Sequence, residues 1–292
     1  MKKYSGIYTA LLTPIKDGKI NEAALAALVK HNIEMGVAGF YVTGSTGEAL
    51  MLTVEERMQI MRIVKENAEG RYLIAHVGSL NERDAIRLAA YAKELSYDMV
   101  SSVAPYYYKF SFEEIWGYYC RIADAADLPM LVYHIPAFSG VSMGVSEISA
   151  FLDDERFAGI KFTSGDFFTM QRIRAAYPDK LIFNGYDEML LSGLAMGADG
   201  AIGSTYNFMA DKFVAMRESF LSGNIEEASR LQTEANRIIS LLCGMGVMQG
   251  EKEIMNQLGL DFGGCVPPLA PLDEQQRKVV KDEIIPYIRA LE

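Results

Sequence analysis

The chain has 292 residues, half of them hydrophobic, and 38 Asp and Glu against 28 Lys and Arg give a formal net charge of −10. That acidic balance argues against nucleic acid or an anionic membrane as partner, and no apolar run is long enough to cross a bilayer. The scattered Cys120, Cys243 and Cys265 make no disulfide framework, and His31, His76 and His134 lack ligand spacing, so no metal is expected. The opening Met1-Lys2-Lys3-Tyr4-Ser5-Gly6 carries no apolar signal stretch, and a cytoplasmic location is expected.

Strand-like and helix-like segments then alternate. Gly6–Leu12 reads as a strand, Asn21–Met35 as an amphipathic helix and Gly39–Thr43 as the second strand. Thr53-Val54-Glu55-Glu56 has the form of a capping box and opens the next helix. Tyr72–Val77 and Met99–Ala104 read as strands, followed by helices over Glu82–Leu95 and Phe112–Ala126. Met130–Ile135 stops at Pro136 before a helix over Val145–Leu152, and Ala158–Thr163 precedes a helix over Asp166–Tyr177. Leu181–Asn184 leads to a helix over Glu188–Met196, and Gly200–Gly203 is a short eighth strand.

Eight such units predict an α/β fold, a (β/α)8 TIM barrel. Strands apolar throughout fit a parallel sheet covered on both faces. After Asp211 only helical patterns follow, over Asp211–Ser222, Ile225–Gly244, Gly246–Leu258 and Asp273–Leu291. The expectation is a barrel over residues 1–222 carrying the site, with a C-terminal helical extension over 223–292 packed on it.

Functional groups of such barrels sit where strands end. Six predicted strands end in polar segments, among them Gly44-Ser45-Thr46-Gly47-Glu48, Tyr106-Tyr107-Tyr108 and Asn184-Gly185-Tyr186-Asp187-Glu188. Lys161 lies within Gly159-Ile160-Lys161-Phe162-Thr163. An amine held among Ile160, Phe162 and Phe157 loses hydration, which lowers its pKa. A neutral amine is what imine formation with a ketone requires. The competing reading is an ammonium that snorkels to water. The surrounding polar segments favour the first.

Glycines flanking Ser45 and Thr46 let the backbone curl into a nest of N–H groups for an anion. With no P-loop lysine following, a carboxylate is the expected guest. Tyr133, on the neighbouring strand, can carry a proton to and from the reacting atoms. His134 should face the opposite side of the sheet and be structural.

Taken together, the Gly-Ser-Thr-Gly-Glu loop, the Tyr-x-x-Pro segment at Tyr133–Pro136 and the Gly-Ile-Lys segment at 159–161 resemble the pyruvate-dependent class I aldolases, the family of dihydrodipicolinate synthases and sialic acid lyases. The resemblance implies a homotetramer, no metal cofactor, and a Schiff base between Lys161 and pyruvate. It implies Tyr133 as proton shuttle and Ser45 with Thr46 on the carboxylate. Tyr107 resembles the tyrosine that a neighbouring subunit inserts, completing a relay with Ser45 and Tyr133.

Three details resemble the lyase branch. Lys161-Phe162-Thr163-Ser164-Gly165-Asp166 matches its Lys-x-Thr-x-Gly-Asp pattern, and Asp187-Glu188 offers carboxylates to vicinal hydroxyls. Phe138 stands where the synthases have an arginine. The branch then implies Thr163, Gly185, Asp187, Glu188 and Ser204 in sugar binding, and reversible cleavage of an open-chain sialic acid to N-acetylmannosamine and pyruvate. Departures are His134, where asparagine is frequent, and Phe138, where leucine is frequent. The alternatives are another aldolase of the family acting on a 2-keto-3-deoxy sugar acid, a dihydrodipicolinate synthase, and a non-catalytic sugar-acid sensor.

Overall fold

A computed structural model describes residues 2–288. Eight parallel strands close into a barrel in chain order: β1 (Gly6–Ala10), β2 (Gly39–Val42), β3 (Tyr72–His76), β4 (Met99–Val103), β5 (Met130–His134), β6 (Phe157–Phe162), β7 (Leu181–Asn184) and β8 (Gly200–Gly203), which pairs back to β1. Helices cover the outside: α1 (Glu22–Glu34), α2 (Val54–Asn67), α3 (Glu82–Glu94), α4 (Phe112–Ala126), α5 (Val145–Asp153), α6 (Phe167–Ala176), α7 (Leu190–Ala195) and α8 (Tyr206–Leu221). The chain continues in α9 (Ile225–Met245), α10 (Val247–Gln257) and α11 (Glu274–Val279). The barrel with its helical C-terminal segment is the fold class the alternation predicts.

Local chemistry explains where helices begin and end. Thr53 and Ser111 each accept from the N–H three residues on, while Glu56 and Glu114 bond back to the cap, so both capping boxes are complete. Asp127 closes α4 in the left-handed conformation. The last predicted helix, Asp273–Leu291, is not one α-helix. After α11 the chain takes a π turn over Val280–Ile284 and a 3₁₀ turn over Ile285–Tyr287. Pro286 brings no N–H to the ladder there. Residues 289–291 of that prediction lie outside the described residues.

A small hairpin and the first turn of α8 are among the features that escape the sequence pattern. The hairpin pairs Ile15–Lys16 with Lys19–Ile20, around left-handed Asp17 and Gly18. Helix α8 begins at Tyr206, five residues before the predicted start, and Met209 (φ −144°, ψ 33°) interrupts it. Among the described residues no helix is long and apolar enough to cross a membrane.

Strand alternation sorts side chains into two cores. Tyr8, Tyr41, Ile74, Leu131, Tyr133, Phe183 and Ile202 fill the lumen, and a larger cluster including Val42, Val132, Ile160 and Phe162 lies under the helices. Strand β6 carries a bulge against β5, where Met130 pairs with Phe157 but Leu131 with Gly159. The extra residue turns Phe157 to the same outer face as Ile160 and Phe162, leaving Lys161 inward.

Candidate active site

Tyr133 and Lys161 are directly paired in the β5–β6 register, so both project into the lumen at one level. The lysine is 5 % exposed, and its Nζ lies 4.2 Å from the centre of the Tyr133 ring and 4.3 Å from that of Tyr41. The amine is therefore shielded by two phenol rings, not by Ile160, Phe162 and Phe157, which belong to the outer core. The expectation about its wall was wrong, because bulge and alternation send those side chains outward. Its consequence holds. Burial lowers the pKa of Lys161 to about 7, against the opposing pull of Asp187.

The Tyr133 phenol is buried, which pushes its pKa up to about 12, while the Ser45 and Thr163 hydroxyls draw it partly back. At neutral pH it is a phenol with two hydroxyls beside it. His134 faces the other way and stacks at 5.2 Å on Phe162, as alternation predicts. Burial lowers its pKa to about 4, leaving a neutral core ring.

The 44–48 loop curls as expected but by a different device. The left-handed residues are Thr43 (φ 56°) and Glu48 (φ 57°), not the glycines. Gly44 and Gly47 serve close packing instead. A Cβ on Gly44 would lie 2.7 Å from the Tyr41 ring, and one on Gly47 3.0 Å from the Leu11 carbonyl. Glu48 N donates to Ser45 O and Ala49 N to Gly44 O, a tight turn that leaves its first N–H groups without partners inside it. Ser45 and Thr46 are half-buried on this turn.

Glu48 anchors the loop from below, a role the motif did not reveal. Its carboxylate is buried, forms an ion pair with Lys252 of α10 and accepts from Val266 N–H at 2.5 Å. Lys252 Nζ also donates to the Gly264 carbonyl at 2.9 Å. Removing either partner of such a pair strands a buried charge. The C-terminal segment thus fixes the Ser45–Thr46 turn from more than 200 residues away in sequence.

The remaining expected residues gather around Asp187. Its Oδ2 accepts from Thr205 N–H at 2.9 Å and from the Thr205 hydroxyl at 2.7 Å, while Oδ1 makes no hydrogen bond of ordinary geometry and lies beside the buried Tyr206 phenol. Burial pushes its pKa up to about 6, against the Thr205 hydrogen bonds. Gly185 and Gly203 are required here. A Cβ on Gly185 would strike Thr163 Oγ1 at 1.8 Å, and one on Gly203 would strike Asp187 Oδ1 at 1.8 Å. Ser204 is half-buried beside them. Gln232 and Asn236 of α9 donate to the Asp187 and Glu188 carbonyls, both at 3.1 Å, and so hold this turn in place.

Two expected residues are not brought to the centre. The Glu188 side chain is exposed. Tyr107 is 85 % exposed, its ring edge-on to Tyr108 at 5.1 Å, in the left-handed conformation with φ 77°. Within one chain it does not join Ser45 and Tyr133. Tyr41, Glu48 and Lys252 were missed, and Tyr41 alone had a local signal, since alternation along β2 turns it to the lumen.

A family described as the dihydrodipicolinate synthetase family matches residues 3–285. The N-acetylneuraminate lyase of Rhizobium meliloti (strain 1021) is 44 % identical over 289 residues, 98 % of this chain and 96 % of that protein. CdNal from Clostridium difficile in complex with mannosamine superposes with TM-score 0.93 at 38 % identity, over 96 % of this chain and 98 % of that one. The N-acetylneuraminate lyase of Fusobacterium nucleatum complexed with pyruvate superposes with TM-score 0.91 at 40 % identity, over 95 % of each chain.

Proposed function

Since the chain belongs to the dihydrodipicolinate synthetase family, we propose that it is a Schiff-base aldolase that reversibly cleaves open-chain N-acetylneuraminate to N-acetylmannosamine and pyruvate. The relatives named above support the substrate. The observation that carries the chemistry is the Lys161 amine, enclosed by Tyr41 and Tyr133 and shifted toward its neutral form.

The substrate carboxylate sits on the Ser45–Thr46 turn, which presents C2 to Lys161. The neutral amine attacks C2, and a proton passes from nitrogen to the former ketone oxygen, giving a carbinolamine. Tyr133 protonates that hydroxyl, water leaves, and an iminium remains beside a phenolate. The cation is what makes the phenolate accessible despite burial. The phenolate takes the proton of the C4 hydroxyl, the C3–C4 bond breaks, and its electrons enter the iminium to give an enamine. N-acetylmannosamine departs as the aldehyde. Tyr133 returns the proton to C3, and hydrolysis of the new iminium releases pyruvate and the free amine. No step calls for a metal.

At the sugar end, the Asp187 carboxylate is the acceptor for a substrate hydroxyl, with Thr163, Gly185 and Ser204 on the same or neighbouring strand ends and Glu188 at the rim. Asp187→Ala should raise KM for N-acetylneuraminate by roughly 10-fold or more, while pyruvate still forms its imine on Lys161. Unchanged sugar kinetics in that variant would refute the assignment.

A homotetramer and a cytoplasmic setting complete the reading. Tyr107, Tyr108, Phe138 and Phe168 are 85 %, 63 %, 81 % and 75 % exposed, which suits burial against other subunits. On this reading Tyr107 completes a neighbour's relay. Sedimentation equilibrium should report four chains, and a monomer active at assay concentration would rule the arrangement out. The three cysteines are free, as suits a reducing compartment; recovery outside the cytosolic fraction would contradict that setting.

A further inference from the structure

Glu251 lies on α10, one residue before the lysine that anchors the Ser45–Thr46 turn, and it is wholly buried. Neither of its carboxyl oxygens makes a hydrogen bond of ordinary geometry. Burying a carboxyl on such terms is costly, and a face needed only for packing would carry an apolar side chain. The groups around it belong to the active site. The Ser204 hydroxyl and the Asp187 carboxylate both act on it electrostatically. Burial with Asp187 pushes its pKa up to about 8, and Ser204 pulls it down. Lys252 does not neutralise it, being committed to Glu48 and the Gly264 carbonyl. Cys265 also lies within its field.

Its placement is rigid. The Lys252–Glu48 pair sets the register of α10 against the barrel, and Gly250 lets the helix approach α9, since a Cβ there would lie 2.5 Å from Leu242 Cδ2.

We propose that Glu251 is a positioning residue for the polyol end of the site, acting through Ser204 to orient a substrate hydroxyl toward Asp187. The proposal rests on the reading that the site accepts a polyhydroxylated 2-oxo acid. In its protonated form the carboxyl donates to Ser204 Oγ. The Ser204 hydroxyl then donates to the substrate oxygen, whose own proton goes to Asp187 Oδ1. This one-way chain gives the Glu251 carboxyl a partner and brings a substrate donor to Asp187. Once Glu251 ionises it can only accept, Ser204 turns toward it, and one substrate proton is left facing two acceptors. Sugar binding is therefore strongest between about pH 6 and 8, where Asp187 is ionised and Glu251 protonated, and weakens above that window, with no loss of the Lys161 imine.

The test compares Glu251→Leu and Glu251→Gln with the parent enzyme, reading KM for N-acetylneuraminate against pH beside borohydride trapping of pyruvate on Lys161. Glu251→Leu should raise KM by about 10-fold, raise the melting temperature by removing a buried polar burden, and leave trapping intact. Glu251→Gln can still donate to Ser204. It should keep the parental KM at neutral pH and abolish its rise near pH 8. An unchanged KM in the leucine variant, or an alkaline rise persisting in the glutamine variant, overturns the proposal. If the leucine variant fails to fold, the glutamine pH profile decides. Absence of trapping in the parent enzyme would instead sink the aldolase reading, and this proposal with it.

Discussion

Lys161→Met abolishes turnover and makes the protein more stable at neutral pH. Methionine fills the same lumen without a charge, so it removes the nucleophile and the desolvation penalty together. In the unfolded chain the amine keeps its ordinary pKa of 10.5, whereas in the fold it drops to about 7. The folded state therefore binds fewer protons between those values, and burial of the lysine costs most below about pH 7, at most about 5 kcal/mol. That cost falls as pH rises and vanishes above the unfolded pKa. The gain in melting temperature on Lys161→Met should be largest at and below neutral pH and shrink toward pH 10. In the parent enzyme kcat/KM should rise with pH through about 7 as the amine loses its proton. A less stable methionine variant, or one that still cleaves substrate, contradicts the assignment.

Tyr133→Phe should lower kcat by about 10²- to 10⁴-fold, the usual scale for removing a positioned general acid–base. The aromatic ring and its contacts with Tyr41 and Lys161 remain, so the change acts on the proton and not on the wall. Stability should move by no more than about 1 kcal/mol, because the lost hydroxyl is matched by neighbours that can turn to each other. Single-turnover measurements locate the defect. Both iminium formation and C3–C4 cleavage should slow, since one oxygen serves both steps. A phenylalanine variant within a few-fold of the parent rate would place the proton carrier elsewhere.

Local signals fixed most of the barrel and much of the site. Phe112–Ala126 matches residue for residue because Ser111 caps one end and Asp127 turns the other. Leu181–Asn184 and Gly200–Gly203 match as well, each a short apolar run closed by polar residues. Helix α8 was cut short because its first turn carries no cap bond and Met209 breaks it. Within the site, strand-end placement brought forward Ser45, Tyr133, Lys161, Thr163, Asp187 and Ser204. What it could not supply was the depth behind them. The Glu48–Lys252 pair, the Gln232 and Asn236 contacts and the Glu251 carboxyl all join segments far apart in the chain. No periodicity encodes which distant residue will face them. The amine's wall was misread for a related reason. A one-residue bulge, invisible in the apolar run itself, decides which side Phe157 takes.

The most direct measurement is reductive trapping. The protein is incubated with pyruvate and borohydride at about pH 8, where the amine is mostly neutral, and the digest is read by mass spectrometry. A stable pyruvate-derived adduct on the peptide bearing Lys161, and on no other lysine, is the predicted result. An unmodified Lys161 peptide, or an adduct elsewhere, would contradict the account.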